Sequence, residues 1–341
     1  MTQLPGVLMA AEIAEQPQVL AGLLADGADP IAEVAAALRK RRTRFVLFAA
    51  RGTSDHAALY GKYLVELRLG LPAGLVSPST MTIYGAHPDL TDVLFVAVSQ
   101  SGASPDLLDS VRVARAGGAT TIAVTNNPAS PLAAAAQYQV DIGAGIERAV
   151  AATKTYTAEL LALYLLFAGM SQSVGDGLDA LPAAAAATLD SAARADELAA
   201  AHRGAGRMIV TGRGYAYATA REAALKLMET SYLSAHAFSA ADLLHGPMAL
   251  VDAATPVLVV ATPGLGGDAM RPVLDRVAAL HAAVLIVGPS AGLPVVTDGI
   301  GEALHPLLQI LPLQRFAWGL ALARGSDPDR PRGLSKITET W

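Results

Sequence analysis

Three serines and a glutamine, Ser99, Gln100, Ser101 and Ser104, fall within "SQSGASPD", directly after the apolar run "VLFVAV". Hydroxyls at that density suit an anion, because each O–H can donate to a phosphate oxygen without adding charge. The end of the stretch reads as a helix start: Ser104 is a favoured N-cap, Pro105 a favoured first residue, and Asp106 an acid in the first turn. Unpaired backbone N–H groups at such a start attract negative charge. Thr53 and Ser54, in "RGTSD" after another apolar run, are placed to add two more hydroxyls. A capped polar turn would use the same residue types, but two hydroxyl loops at neighbouring strand ends favour an anion site. A second "SQS", residues 171–173, follows a helical run and reads as linker.

Another group lies in "EAALKLMETSYLSAHAFSAADLLHGPMALVD", residues 222–252. Lys226 and Glu229 are three apart, so they share one face of a helix. That spacing alone equally describes a surface ion pair. His245, in His-Gly-Pro, sits in a turn, where its role is as readily structural. Near neutral pH it could also act as an acid or a base.

These residues need elements to position them. Residues 8–23 and 31–42 read as helices, and "RFVLFAA" (44–50), "DVLFVAVS" (92–99) and "TTIAVTN" (120–126) as strands. "PDLLDSVRVARAGG" reads as a helix ended by glycines, and "TKTYTAELLALYLLFAG" as a long buried one. Strands without polar alternation, separated by helices, indicate a parallel sheet covered on both faces. The pattern then repeats. Arg51-Gly52 recurs as Arg213-Gly214 at an offset of 162, and "PVLVVAT" and "VLIVGP" follow "VLFVAVS" and "TIAVTN" at 163. A nearly constant offset over three strands argues for two copies of one α/β unit. The second copy has "TPGLGGDA" (262–269) in place of the hydroxyl loop, so the fold itself does not require those serines.

The expected organisation is an N-terminal helical segment (1–30), a first domain with the hydroxyl loops (31–172), a second domain carrying Glu229 and His245 (183–325), and a tail (326–341). Residues 170–182 read as the connecting linker.

Composition narrows the class. The 341 residues are 52% hydrophobic and only 16% charged, yet no run of about 18 apolar residues could span a bilayer. A net charge of −5 disfavours a broad grip on nucleic acid, and the basic cluster "KRRTR" (40–44) reads as the end of a helix. The absence of cysteine excludes disulfides, thiolate metal sites and cysteine nucleophiles. No basic region followed by an apolar core opens the chain, so a cytoplasmic protein is expected, with no membrane partner. The scattered histidines offer no metal-ligand spacing, and no cofactor is expected.

Taken together, "AAEIAEQP", "ARGTSD", "SQSGASPD", "VAATKTYT", "GRGYAYATAREAALKLMETSY", "LLHGPMALVD" and "GSDPDRPRGLSKI" resemble the sugar isomerase (SIS) family, in particular the isomerase half of glucosamine-6-phosphate synthase. The resemblance runs almost end to end. It implies an α/β fold of two tandem SIS domains, each a flavodoxin-like parallel sheet flanked by helices. It also implies a homodimer or larger oligomer and a hexose or hexosamine 6-phosphate ligand. By resemblance Thr53, Ser54, Ser99, Gln100, Ser101 and Ser104 hold the sugar phosphate and Val150 contacts the sugar. Glu229 moves a proton between C1 and C2, and His245, reaching into the neighbouring subunit's site, opens the ring. Lys226 lies near the sugar, and Lys336 closes the tail over the site. The chain departs from the synthase at Ala103, where the synthase has glutamate, and at Ala152, where it has serine.

The chain shows neither a glutaminase domain nor a cysteine to serve one. The expected reaction is therefore glucosamine-6-phosphate to fructose-6-phosphate plus ammonia. Two alternatives stay open: another amino-sugar-phosphate isomerase, deglycase or dehydratase, and a sugar-phosphate sensor without catalysis.

Overall fold

The computed structural model describes residues 4–336 other than 174, 192 and 291. The first three residues of the expected N-terminal segment, and 337–341 of the expected tail, lie outside the described residues. The chain forms two compact units. One takes residues 18–147 and 154–175, and the other 4–17, 148–153 and 176–336.

The first unit is built on a five-stranded parallel sheet. Strands β1 (Phe45–Ala49), β2 (Ala73–Leu75), β3 (Val93–Val98), β4 (Thr120–Thr125) and β5 (Tyr138–Asp141) lie in the order β2-β1-β3-β4-β5. Both faces are covered, which is why the central strands are apolar throughout. On one face Ala49, Phe95, Ala97 and Ala123 pack against Leu107, Val111 and Ala114 of the helix Pro105–Ala116. On the other, Phe48 meets Phe167 of the helix Lys154–Ser171 edge to face, with ring centroids 5.9 Å apart.

The second unit repeats the plan. Strands β6 (Arg207–Gly212), β7 (Ser234–Ser239), β8 (Val257–Val260), β9 (Val284–Gly288) and β10 (Leu293–Pro294) are all parallel, in the order β10-β9-β8-β6-β7. Matched in chain order to β1–β5, this is the same strand order, so the duplication read from the offsets is a duplication of topology. Ile209, Val257 and Val259 pack against Val273 and Val277 of the helix Arg271–Ala279. The helices Ala216–Ser231 and His305–Ala323 pack on each other.

The N-terminal run differs from expectation. In place of one helix over 8–23 there are two, Val7–Ala14 and Gln16–Gly22. Pro17 has no N–H for the Ile13 carbonyl, and the Gln16 side-chain amide donates to that carbonyl instead, at 3.0 Å. A π-helical turn, Leu23–Gly27, then leads into the helix Ala28–Arg39, three residues earlier than expected at both ends.

Candidate active site

Sequence order sets the crevice of the first unit. The chain leaves β1 for β2 on one side and returns to β3 on the other, so the connections reverse direction between β1 and β3. Ligands of open parallel sheets bind outside the carboxyl ends of the strands at such a point. Ala49 and Ala97 pair in register, so the turn 50–53 and the loop 99–104 leave the sheet side by side. The structure thus brings together the two hydroxyl stretches singled out from the sequence.

The loop is a tight, internally bonded turn. Ser99 Oγ accepts from the Gly102 N–H at 3.2 Å, and Ser101 Oγ from the Ala103 N–H at 3.3 Å. A hydroxyl that accepts from the backbone still has its own hydrogen to donate. The Gln100 carbonyl accepts from the Asn126 N–H at 3.1 Å, which ties the loop to the end of β4. Gly102 has φ +61°, and a Cβ there would stand 2.2 Å from Ser130 Oγ, so the turn admits only glycine. Ser104 takes the N-cap position without a side-chain cap bond, and Ala103 is exposed beside it.

Thr53 and Ser54 open the helix Thr53–Leu64 behind Gly52, whose φ of 56° and ψ of −128° let the chain turn sharply out of β1. Ser54 faces inward. Its hydroxyl donates to Glu159 Oε1 at 2.7 Å, and both residues are buried. While that bond stands, Ser54 has no hydrogen to offer an anion.

In the second unit Lys226 and Glu229 share a helical face as the spacing predicts, but the face is buried. Lys226 is 1% exposed, and its Nζ lies 2.5 Å from Glu229 Oε2 and 3.3 Å from Glu222 Oε1. Burial alone would push the lysine down. The charges of Glu222 and Glu229, with their hydrogen bonds, outweigh burial and hold it above the ordinary lysine range. Glu222 is fully buried, whereas the Glu229 side chain is 21% exposed. One fixed ammonium therefore stands beside one sealed carboxylate and one that opens toward solvent.

His245 ends the short helix Ala240–Leu244 and is exposed. Its Nδ1 lies 2.7 Å from the Ala241 carbonyl. A carbonyl can only accept, so Nδ1 carries hydrogen and, in the neutral ring, Nε2 carries the lone pair.

Val150 and Lys336 are brought together. Lys336 Nζ donates to the Ala149 carbonyl at 2.8 Å, and the Val150 N–H reaches the Asp329 carbonyl at 3.4 Å. The 148–153 segment is further held by Glu12, which accepts from the Arg148 and Ala149 N–H groups. Asp329 accepts from the Leu8 and Met9 N–H groups at 2.9 and 2.8 Å. The tail also reaches the helix of Lys226 and Glu229: Arg332 stacks on the Tyr232 ring at 4.1 Å, and its N–H donates to the Tyr232 hydroxyl at 2.9 Å.

Sequence reasoning gave no site role to four residues. Glu222 is visible as an i,i+4 partner of Lys226, but its burial is not. Glu159 is the one acid within "TAELLALYLLFAG", and a carboxylate on so apolar a helix signals a buried partner. Arg51 and Asp106 pair across the two hydroxyl turns, a contact between residues distant in sequence that no local spacing reveals.

The second copy's loop is filled from within. Thr262, in Ser99's place, accepts from Gln309 Nε2 at 2.6 Å and lies 3.0 Å from His305 Nδ1. The Leu265 and Gly266 N–H groups donate to the Glu302 carboxylate at 3.0 and 2.7 Å. Among the described residues no helix is long and apolar enough to cross a membrane, and no group of three or more His, Cys, Asp or Glu could hold a metal ion.

With this geometry in place, known proteins give it a family. The glutamine–fructose-6-phosphate aminotransferase (isomerizing) of Methanothermobacter thermautotrophicus is 35% identical over 339 residues, which take in 96% of this chain and 56% of that protein. The chain thus spans little more than half the length of that relative. A solved structure from Silicibacter pomeroyi DSS-3, provisionally assigned as a phosphosugar isomerase, is 38% identical with a TM-score of 0.83, covering 94% of this chain and 99% of that one. The C-terminal domain of glucosamine-fructose-6-phosphate aminotransferase from Francisella tularensis is 28% identical, also with a TM-score of 0.83, covering 95% of this chain and 98% of that one. The SIS domain model matches residues 38–169 and 203–298, one stretch for each sheet, and the chain belongs to the SIS domain family.

Proposed function

We propose that this chain is a phosphosugar aldose–ketose isomerase that converts glucosamine-6-phosphate and water to fructose-6-phosphate and ammonia. The reading is carried by Lys226, a buried ammonium held charged beside the partly open carboxylate of Glu229. It is supported by the named relatives, which include an isomerizing aminotransferase acting on fructose-6-phosphate and a protein assigned to the phosphosugar isomerases.

In this reading the hydroxyls of Thr53, Ser99, Ser101 and Ser104, with Gln100, anchor the phosphate. Ser54 joins them only by releasing Glu159. An anchored phosphate turns binding energy into placement of the reacting carbons. His245 Nε2 serves ring opening, which passes a proton from the C1 hydroxyl to the ring oxygen and yields the open-chain aldehyde. Glu229 takes the proton from C2 and returns it to C1; O1 gains one proton as the enolamine forms, and the nitrogen gives up one as the enolamine becomes the imine. The ammonium of Lys226 stabilises the charge that develops on that intermediate in a water-poor site. The product imine at C2 adds water and expels ammonia. Val150 contacts the sugar, and Lys336 holds the tail against the 148–153 segment. The reading uses no metal and no cofactor.

His245 is assigned to the site of a partner copy. The exposed apolar side chains flanking it, Leu244 at 40% and Leu250 at 44%, suit such an interface. Exposed Ala103, where the synthase has glutamate, leaves the anion loop without a long side chain for the sugar hydroxyls.

The test is an ammonia-release assay on a panel of hexosamine 6-phosphates, with hexose 6-phosphate isomerisation followed alongside. Ammonia and fructose-6-phosphate in equal amounts are expected from glucosamine-6-phosphate. Binding of several sugar phosphates without turnover of any would establish a sensor instead.

A further inference from the structure

Arg51 lies in the turn after β1, and Asp106 in the first turn of the helix that follows the hydroxyl loop. Arg51 Nε and Nη2 both donate to Asp106 Oδ2, at 2.8 and 2.7 Å. The Asp106 side chain is 1% exposed and the Arg51 side chain 48%. Asp106 Oδ1 accepts from the Leu107 N–H at 2.9 Å. This pair joins the two turns that carry Thr53 and Ser54 on one side and Ser99 to Ser104 on the other.

The second copy shows what else can hold such a loop. Arg213 recurs there, but Glu302 takes the backbone N–H groups of Leu265 and Gly266 directly. An internal carboxylate on those amides competes with any external anion. In the first copy the ionic hold falls on the Asp106 side chain and not on the loop's backbone. It also neutralises an acid two residues beyond Ser104, whose bare charge would repel a phosphate dianion at short range and low dielectric.

We propose that Arg51 is a positioning residue for the sugar-phosphate loops. Through Asp106 it fixes the 99–104 loop against the 50–53 turn and cancels the charge that would oppose the ligand. The proposal rests on the reading of those loops as a phosphate site.

The experiment is a double-mutant cycle in the full chain, R51M, D106N and R51M/D106N, at one ionic strength. The readouts are the affinity for inorganic phosphate, KM and kcat for glucosamine-6-phosphate, and melting temperature. R51M strands a buried carboxylate. It is expected to weaken phosphate binding and raise KM at least tenfold, the fold-change that corresponds to about 1.4 kcal/mol of binding, with kcat changed by less than about threefold. R51M/D106N is expected to return to within about threefold of D106N alone, the non-additivity that marks one residue acting through another. If R51M does not fold, R51Q, which also removes the cation but can still donate to Asp106, takes its place in the cycle with the same non-additive pattern.

A double variant as weak as R51M would mean that Arg51 touches the anion itself, and would overturn the positioning role. A fall in kcat at unchanged KM would overturn it as well, as would unaltered phosphate affinity in R51M. A wild-type chain that binds neither inorganic phosphate nor any hexose 6-phosphate overturns the functional reading, and the clamp with it.

Discussion

Lys226 Nζ stands 2.5 Å from Glu229 Oε2 and 3.3 Å from Glu222 Oε1, one buried cation between acids one turn to either side. The two acids are not equivalent. Glu222 is sealed in the unit and keeps the lysine charged, while Glu229 is open enough to meet a substrate. Removing the lysine should therefore harm the fold before it reports on chemistry. K226M removes the cation that pairs with buried Glu222, and breaking a buried pair in this way costs about 3–5 kcal/mol. Denaturant unfolding should show that loss, and E222Q/K226M should recover most of it.

The serines of the two turns should separate by role. S54A removes the donor to buried Glu159 and should cost about 1–3 kcal/mol of stability. S101A removes a hydroxyl whose hydrogen bond among the described residues is from the Ala103 N–H, so its melting temperature should hold while phosphate affinity falls about tenfold. Thermal melts and phosphate titrations on both variants check the contrast.

Buried His305 should impose an acid limit on stability. Burial pushes its pKa down, only partly offset by the Ile300 carbonyl and Glu302. The neutral ring fits its partners: Nε2 donates to the Ile300 carbonyl at 3.0 Å, and Nδ1 takes the hydrogen of Thr262, which accepts from Gln309. A protonated ring has no lone pair for Thr262. With the folded pKa below the unfolded value, the unfolded chain binds the proton first as pH falls. The contribution is present above about 6.5 and is lost as pH drops through the folded value. Unfolding free energies of wild type and H305N at pH 7.5 and 5.5 should differ less at the lower pH.

Much of this architecture was legible in the sequence, because a parallel sheet covered on both faces demands unbroken apolar strands. β1, β3, β4, β6, β8 and β9 announce themselves that way. Short edge strands do not: Ala73–Leu75, Leu293–Pro294 and the polar "SAHAFS" of β7 owe their strand state to a neighbour's hydrogen bonds. The hydroxyl loop was legible because its residue types carry their chemistry locally. The inward turn of Ser54 was not, since it depends on Glu159, 105 residues away. Nor was the Arg51–Asp106 pair, which exists only because β1 and β3 lie side by side.

Glu229 is the group proposed to move the proton between C1 and C2. General acid–base groups of this kind contribute about 10²- to 10⁴-fold in rate. The most direct measurement is the E229Q chain assayed for ammonia release and for exchange of the C2 proton of glucosamine-6-phosphate with solvent, with affinity for the same sugar measured by calorimetry. Loss of both turnover and exchange by at least about a hundredfold, with affinity within about threefold of wild type, is the predicted result. Exchange and ammonia release that persist at the wild-type rate would contradict it.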